Sequence, residues 1–194
     1  SDCAAAIRDV VNSINQAGLE VEDIVLQQLA SSLAVLRKEE QESGVVLLDI
    51  GGGTTDYVFF RDDIIRHIKV ISVGGYHITN DITLGLNLLA RQAEELKKKC
   101  GTVAPPDGDD DILLHLPPGL VRPPGRNVTR RLTRIIECRM EELFRLVGKD
   151  LVEEGHFQNI GSGLVLTGGG SLLRGTAELA SRVTGLPVRE GIAH

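Results

Sequence analysis

The run Asp49-Ile50-Gly51-Gly52-Gly53-Thr54-Thr55-Asp56 constrains this chain more than any other stretch. The apolar segment Val45-Val46-Leu47-Leu48 feeds into it, and Tyr57-Val58-Phe59-Phe60 leaves it. Two apolar runs joined by three glycines predict a strand, a tight turn and a second strand. Without Cβ atoms the turn can fold sharply and bring backbone N–H groups close to a ligand. Such N–H groups suit phosphate oxygens. The carboxylates at the two ends, Asp49 and Asp56, suit a hydrated Mg²⁺, an ion that takes oxygen ligands and keeps several waters. A lone Gly-Gly-Gly reads first as a plain chain reversal. The flanking carboxylates and hydroxyls, and a second glycine loop downstream, turn the reading toward a phosphate–Mg²⁺ hairpin.

A chain of 194 residues has room for one or two domains with a real core. Hydrophobic residues make up 42% and aromatic residues 3%, so a soluble globular fold with a core of Leu, Ile and Val is expected. The net charge of −6 argues against non-specific nucleic-acid binding. Cys3, Cys100 and Cys138 are far apart and suit neither zinc nor a disulfide framework, which points to a reducing cytosol. Asn127-Val128-Thr129 fits a glycosylation sequon, but in that compartment it reads as a helix start. No apolar run approaches the ~20 residues of a membrane span, and no signal peptide is visible. Ser1 opens almost directly onto a helix-like segment, as expected of a piece of a longer protein.

Periodicity predicts a helix over 4–16 stopped by Gly18, a strand over 21–26, and a helix over 29–41 with Leu29, Leu33 and Leu36 on one face. A third strand follows the hairpin over 64–71, with Ile64, Ile65, Ile68 and Val70 expected to be largely buried. Val73-Gly74-Gly75 then turns the chain into helices over 78–88 and 91–100. Six prolines and Asp109-Asp110-Asp111 mark 101–125 as loop, with room for a short strand over 112–116. The longest helix is predicted over 127–151, with Leu132, Ile136, Met140, Leu143 and Val147 as its apolar stripe. A strand over 161–167, a glycine break, a helix over 172–184 closed by Gly185 and a strand over 186–189 complete the order. The expected class is α/β, a mixed sheet flanked by helices. Residues 1–44 lead in, 45–78 and 159–194 form the core, and 79–158 form an inserted helical subdomain.

The second loop, Thr167-Gly168-Gly169-Gly170-Ser171, reads as strand, glycine turn, helix. Small residues there let a flat ligand lie on the backbone, and a helix N-terminus favours anions. It is neither a dinucleotide fingerprint nor a Walker A loop, since Leu173 stands where glycine is needed and no Gly-Lys-Ser/Thr follows. Ala93-Glu94-Glu95-Leu96-Lys97-Lys98-Lys99 is a charged helical run in which Glu94 and Lys97 share a face. Alone, it reads as a solvated surface helix.

These pieces in this order resemble the actin-like ATPase superfamily, whose core is ribonuclease-H-like. The resemblance makes Asp49 to Asp56 the phosphate loop and Gly168 to Ser171 the adenosine loop. It places Glu94 at the ribose, and Lys97 with Lys98 at the adenine. It assigns Gly51, Gly52, Gly53 and Thr54 to the terminal phosphates of ATP, Gly168, Gly169, Gly170 and Ser171 to adenosine, and Asp49 and Asp56 to Mg²⁺ through water. Asp49 and Gln27 become the catalytic positions. Within the superfamily the chain is similar to the FtsA family of bacterial cell-division proteins. The supporting segments are Ala17 to Leu26, Leu29 to Leu36, Arg66 to Ile71 with Val73-Gly74-Gly75, and Arg122-Pro123-Pro124 before Ile135-Ile136-Glu137-Cys138-Arg139.

The resemblance implies an actin-like protein that binds ATP and Mg²⁺ between two lobes, polymerises, joins other divisome proteins and links FtsZ filaments to the cytoplasmic membrane. It implies a place at the inner face of that membrane, at the division site. The first lobe's phosphate loop and the family's membrane-binding C-terminal helix are not found in this sequence. Gln27 stands where MreB and DnaK carry glutamate and actin carries glutamine, so at most a weak ATPase is expected, and the chain alone is expected to be inactive. Cys138 replaces the family's proline before Arg139. Other readings are an MreB-like or PilM-like scaffold of the same fold, or a small-molecule kinase, which needs a substrate pocket that nothing here supplies.

Arg122, Arg126, Arg130, Arg131, Arg134 and Arg139 cluster with one acid, Glu137. The plain reading is a solvated face with local pairs such as Glu141 with Arg145. The alternative is a partner surface. FtsZ offers an acidic C-terminal peptide, and arginine suits carboxylates, so Arg130, Arg134 and Arg139 are the expected contacts.

Overall fold

The computed structural model describes residues 13, 14, 16–18, 31, 32, 34–104 and 127–192. Five strands form one mixed sheet in the order β3-β2-β1-β4-β5: β1 (Val45–Ile50), β2 (Thr55–Arg61), β3 (Ile64–Ile71), β4 (Leu164–Thr167) and β5 (Val188–Glu190). β1, β2 and β3 are an antiparallel meander, while β4 pairs parallel to β1 and β5 parallel to β4. The helices are α1 (Lys38–Ser43), α2 (Gly75–Leu86), α3 (Ala90–Cys100), α4 (Val128–Glu153) and α5 (Thr176–Thr184).

Successive strand residues point to opposite faces, and both faces of β1 are apolar. Val46, Leu48, Ile50, Tyr57, Phe59, Leu164 and Leu166 join the main core with α2, α3, α4 and α5. Val45, Leu47, Val58, Phe60 and Val165 form a smaller cluster with Val35 and Leu36. The predicted stripe of α4 is buried throughout, and the helix runs unbroken past Cys138. Each buried Leu or Ile there is worth roughly 1.5–3 kcal/mol of transfer free energy.

Four expectations need correction. β3 is one of the two edge strands of the described sheet, and its Ile64, Ile68 and Val70 are 53%, 43% and 54% exposed. Branched residues favour the pleated backbone whether or not a layer covers them, so the apolar run marked a strand but not its burial. The predicted helix over 29–41 is interrupted at Leu36 and Arg37. Arg37 is extended, and its N–H donates to Glu40 Oε2 at 2.8 Å to start α1. Arg189 pins the break by bonding both Glu40 and the Val35 carbonyl. The last helix begins at Thr176 rather than 172, because Gly169–Leu172 forms a 3-10 turn and Gly175 takes φ +86°. The strand before it starts at Leu164, not 161. The expectations for 4–12, 21–26 and 112–116 lie outside the described residues.

Candidate functional site

β1 and β4 lie side by side in parallel, with Asp49 opposite Thr167. Both glycine loops therefore leave the sheet at the carboxyl ends of adjacent parallel strands, where open α/β sheets bind ligands. The first loop closes with Gly51 N–H donating to Thr54 O at 3.0 Å. Its carbonyls are committed elsewhere. Gly75 N–H donates to Gly51 O at 2.9 Å, and Tyr76 N–H donates to Gly52 O at 2.7 Å. The first turn of α2 is thus docked on the loop. A Cβ on Gly74 would stand 2.7 Å from Gly52 O, so only glycine allows this approach. Among the described residues no hydrogen bond occupies the N–H groups of Gly52, Gly53 or Thr54, and all three residues are exposed. Exposed backbone N–H groups in succession suit an anion.

Asp56 is the cross-strand partner of Asp49. Both carboxylates therefore stand on one sheet face. The second loop packs against the first of them: a Cβ at Gly168 would meet Asp49 Oδ1 at 2.3 Å. Two carboxylates and free amides suit a cation that takes its remaining ligands from water and phosphate. Among the described residues no group of three or more His, Cys, Asp or Glu could hold a metal by protein alone. Gln27 lies outside the described residues.

A cavity of about 390 Å³ opens between the two loops and α3. Gly51, Gly52, Gly169 and Gly170 line it on the loop side, and Glu94, Lys97 and Lys98 on the helix side. Gly53, Thr54, Gly168 and Ser171 are not in its wall. Ser171 instead closes the second loop, its Oγ donating to Gly168 O at 2.7 Å.

The charged helix is not simply a solvated one. Lys97 is 11% exposed, and its ammonium lies 2.7 Å from Glu94 Oε2. It also donates to Gly75 O and Thr79 Oγ1, each at 2.9 Å. Thr79 donates to Glu94 as well. Burial pushes the Glu94 carboxyl up, but the hydrogen bonds from Lys97 and Thr79 outweigh it and hold the group below its usual range. Lys98, 70% exposed, reaches the other Glu94 oxygen at 3.3 Å. Lys97 therefore braces Glu94 and the start of α2 from below, while Lys98 faces outward. Sequence reasoning missed Thr79, Tyr76 and Leu172. The pair Gly74-Gly75 was the available signal, since two adjacent glycines at a helix start mark a close backbone approach.

A second concavity, about 550 Å³, runs between α2 and α4 and is lined by Leu84, Ile135, Cys138, Arg134 and Arg139 among others. Arg130 is exposed outside it. Arg139 forks onto Asp81 at 2.7 and 3.0 Å and reaches Glu142 at 2.5 Å. Arg134 pairs with Glu137 at 2.8 Å. Arg131, not among the expected contacts, lines the groove and donates to Gly85 O at 2.6 Å. The expected Glu141–Arg145 pair forms at 2.6 Å. Arg122 and Arg126 lie outside the described residues.

The solved structures similar to this one include MreB5 of Spiroplasma citri bound to ADP, with a TM-score of 0.75 at 22% identity over 95% of this chain and 60% of that one. They also include a PilM–PilN type IV pilus biogenesis complex, with a TM-score of 0.69 at 25% identity over 95% of this chain and 47% of that one. The fold is actin-like. The profile of the family "Cell division protein FtsA" matches residues 46–194. Cell division protein FtsA of Pseudomonas aeruginosa is 39% identical over 193 residues, covering 99% of this chain and 46% of that protein. The Escherichia coli K12 protein of the same name is 32% identical over 191 residues, covering 95% and 46%. The chain thus spans about half the length of the curated relatives it matches. With the family profile matching residues 46–194 and the relatives matching almost the whole chain, the chain belongs to the FtsA family of cell division proteins.

Proposed function

We propose that this chain supplies one lobe of an actin-like cell-division protein that binds ATP with Mg²⁺ between two lobes. The observation that carries the reading is the cavity where Gly52, whose amide bears no hydrogen bond among the described residues, meets the Gly169-Gly170 backbone and Glu94, with the exposed Gly53 and Thr54 amides at its edge. In this reading the Gly51 to Thr54 backbone cradles the terminal phosphates. Asp49 and Asp56 hold Mg²⁺ through water, and the ion neutralises phosphate charge when bound. Gly168 to Ser171 underlies the adenosine. Glu94 meets the ribose, Lys97 holds Glu94 in place, and Lys98 faces the adenine. Asp49 and Gln27 orient the attacking water. Residues 45–78 and 159–194 make the lobe's core, with 79–158 as its helical insertion.

The α2–α4 groove and Arg130 beside it form the docking site for the acidic C-terminal peptide of FtsZ, with Arg134 and Arg139 meeting its carboxylates. The full protein assembles with itself and ties FtsZ filaments to the cytoplasmic membrane at the division site.

Calorimetry with Mg-ATP, and anisotropy with a labelled FtsZ tail peptide, test the two halves separately. The chain by itself should bind ATP weakly and turn over none above background, since a two-lobed cleft draws donors from both sides. Mg²⁺-dependent hydrolysis by the pure chain would overturn the binding-only expectation, and an FtsZ peptide that ignores the groove would remove the partner.

A further inference from the structure

Tyr76 stands at the one point where the phosphate loop, the start of α2 and the cavity meet. Its N–H donates to Gly52 O at 2.7 Å, and its ring rests on the same glycine. A Cβ on Gly52 would meet the ring at 3.0 Å and the hydroxyl at 3.3 Å. Backbone and side chain of Tyr76 thus grip one loop residue from both sides of its peptide. Yet the residue is 69% exposed, and among the described residues no hydrogen bond engages its hydroxyl. A large aromatic side chain left open at the rim of a cavity calls for an explanation other than core packing.

The chemistry of the cavity wall supplies one. Of its polar side chains, Glu94 carries the wrong sign for a phosphate, and Lys97 is committed to Glu94, Thr79 and the Gly75 carbonyl. Lys98 leans on Glu94 from the outer side. Among the described residues Tyr76 is the only hydroxyl side chain in the wall, and it lies directly on the loop whose Gly52 and Gly53 amides are open. On the nucleotide reading above, which this step requires, we infer that Tyr76 is a phosphate-contacting residue. Its hydroxyl donates to the β- or γ-phosphate held by the Gly52 and Gly53 amides. Its ring rests against Gly52 from the α2 side and so holds the hydroxyl beside the open amides. The contact makes the site sensitive to the length of the phosphate chain rather than to the base.

The test is calorimetric titration of the full-length protein with Mg-ATP, Mg-ADP and AMP, in wild type, Tyr76→Phe and Tyr76→Ala. Tyr76→Phe should weaken ATP and ADP about three- to tenfold, the size of one hydrogen bond, and leave AMP within about twofold. Tyr76→Ala should weaken ATP and ADP further. Tyr76→Phe should not change the Tm without nucleotide, because it keeps the ring on Gly52 and removes only the hydroxyl. Wild-type ATP affinity in Tyr76→Phe overturns the contact. Equal losses for ATP and AMP also overturn it, because the effect would then be on the pocket as a whole. If wild type binds none of the three nucleotides at millimolar concentration, the nucleotide reading itself fails, and the role of Tyr76 falls with it.

Discussion

The cleft beside β1 and β4 and the groove between α2 and α4 are made of different materials. In the cleft the open polar groups are mostly backbone, the amides of Gly52, Gly53 and Thr54 and the glycines of the second loop. Sheet pairing and the Gly74-Gly75 contact fix their positions. In the groove the polar groups are long cationic side chains already shared with Asp81, Glu137 and Glu142. The cleft is therefore preorganised and presents its donors at no reorganisation cost. A partner in the groove must displace existing carboxylates, so its gain is a difference between two ion pairs and falls with salt. One region tolerates almost no substitution; the other can exchange partners.

The largest expected effect tests the rigid half of that contrast. Gly168→Val forces a side chain into a φ of +83° and into Asp49 Oδ1 and the Ile50 carbonyl. It should cost about 2–4 kcal/mol in urea unfolding and abolish nucleotide binding. A loss of only a few tenths of a kcal/mol would mean that the loop yields, and the contrast with the groove would collapse.

The tie between α4 and the sheet, on which both regions are mounted, comes next. Asp150 on α4 accepts from the buried Tyr57 hydroxyl and pairs with Lys69 at 2.9 Å and His67 at 3.3 Å. Burial pushes the Asp150 carboxyl up, but the hydrogen bonds from Tyr57 and Lys69 outweigh it, so its folded pKa lies below its ordinary value. Burial and the neighbouring carboxylate push the Tyr57 phenol well above its usual range. A lowered carboxyl contributes stability that is full above the unfolded pKa, about 3.9, and is lost as pH falls through the folded value. Asp150→Asn should cost about 1–3 kcal/mol at neutral pH and flatten the acid limb of the stability curve. An unchanged acid limb would assign that limb to other carboxylates.

The smallest effects separate the groove's arginines. Arg139→Glu places an acid between Asp81 and Glu142 and should cost about 1–2 kcal/mol of stability together with peptide affinity. Arg130→Glu, on the exposed surface, should leave stability within about 0.5 kcal/mol and weaken the FtsZ peptide only at low salt. Equal stability losses from the two would show that the Arg139–Asp81 fork contributes no more than a surface charge.

The cleft was largely legible in advance because glycine and apolar runs carry local geometry. Three adjacent glycines after Val45 to Leu48 can only turn a strand, and Asp49 and Asp56 flank that turn whatever the rest of the chain does. The α4 stripe was legible for the same reason, since Leu132 to Val147 repeat at 3.6 residues. The groove was only half legible. Composition marked the arginines, but Asp81 lies 58 residues away from Arg139 in sequence, and no local pattern pairs them.

Order along the chain, the α/β class and the chemistry of the two loops follow from residue type and spacing, because turn and period are local properties. Packing settled the rest. It made β3 an edge despite its isoleucines and turned Lys97 inward beneath Glu94. It also brought the first turn of α2, with Tyr76, down onto the first glycine loop. Each of these depends on which surfaces meet in three dimensions. Such meetings are selected by the free energy of the whole fold, and no short segment encodes them alone.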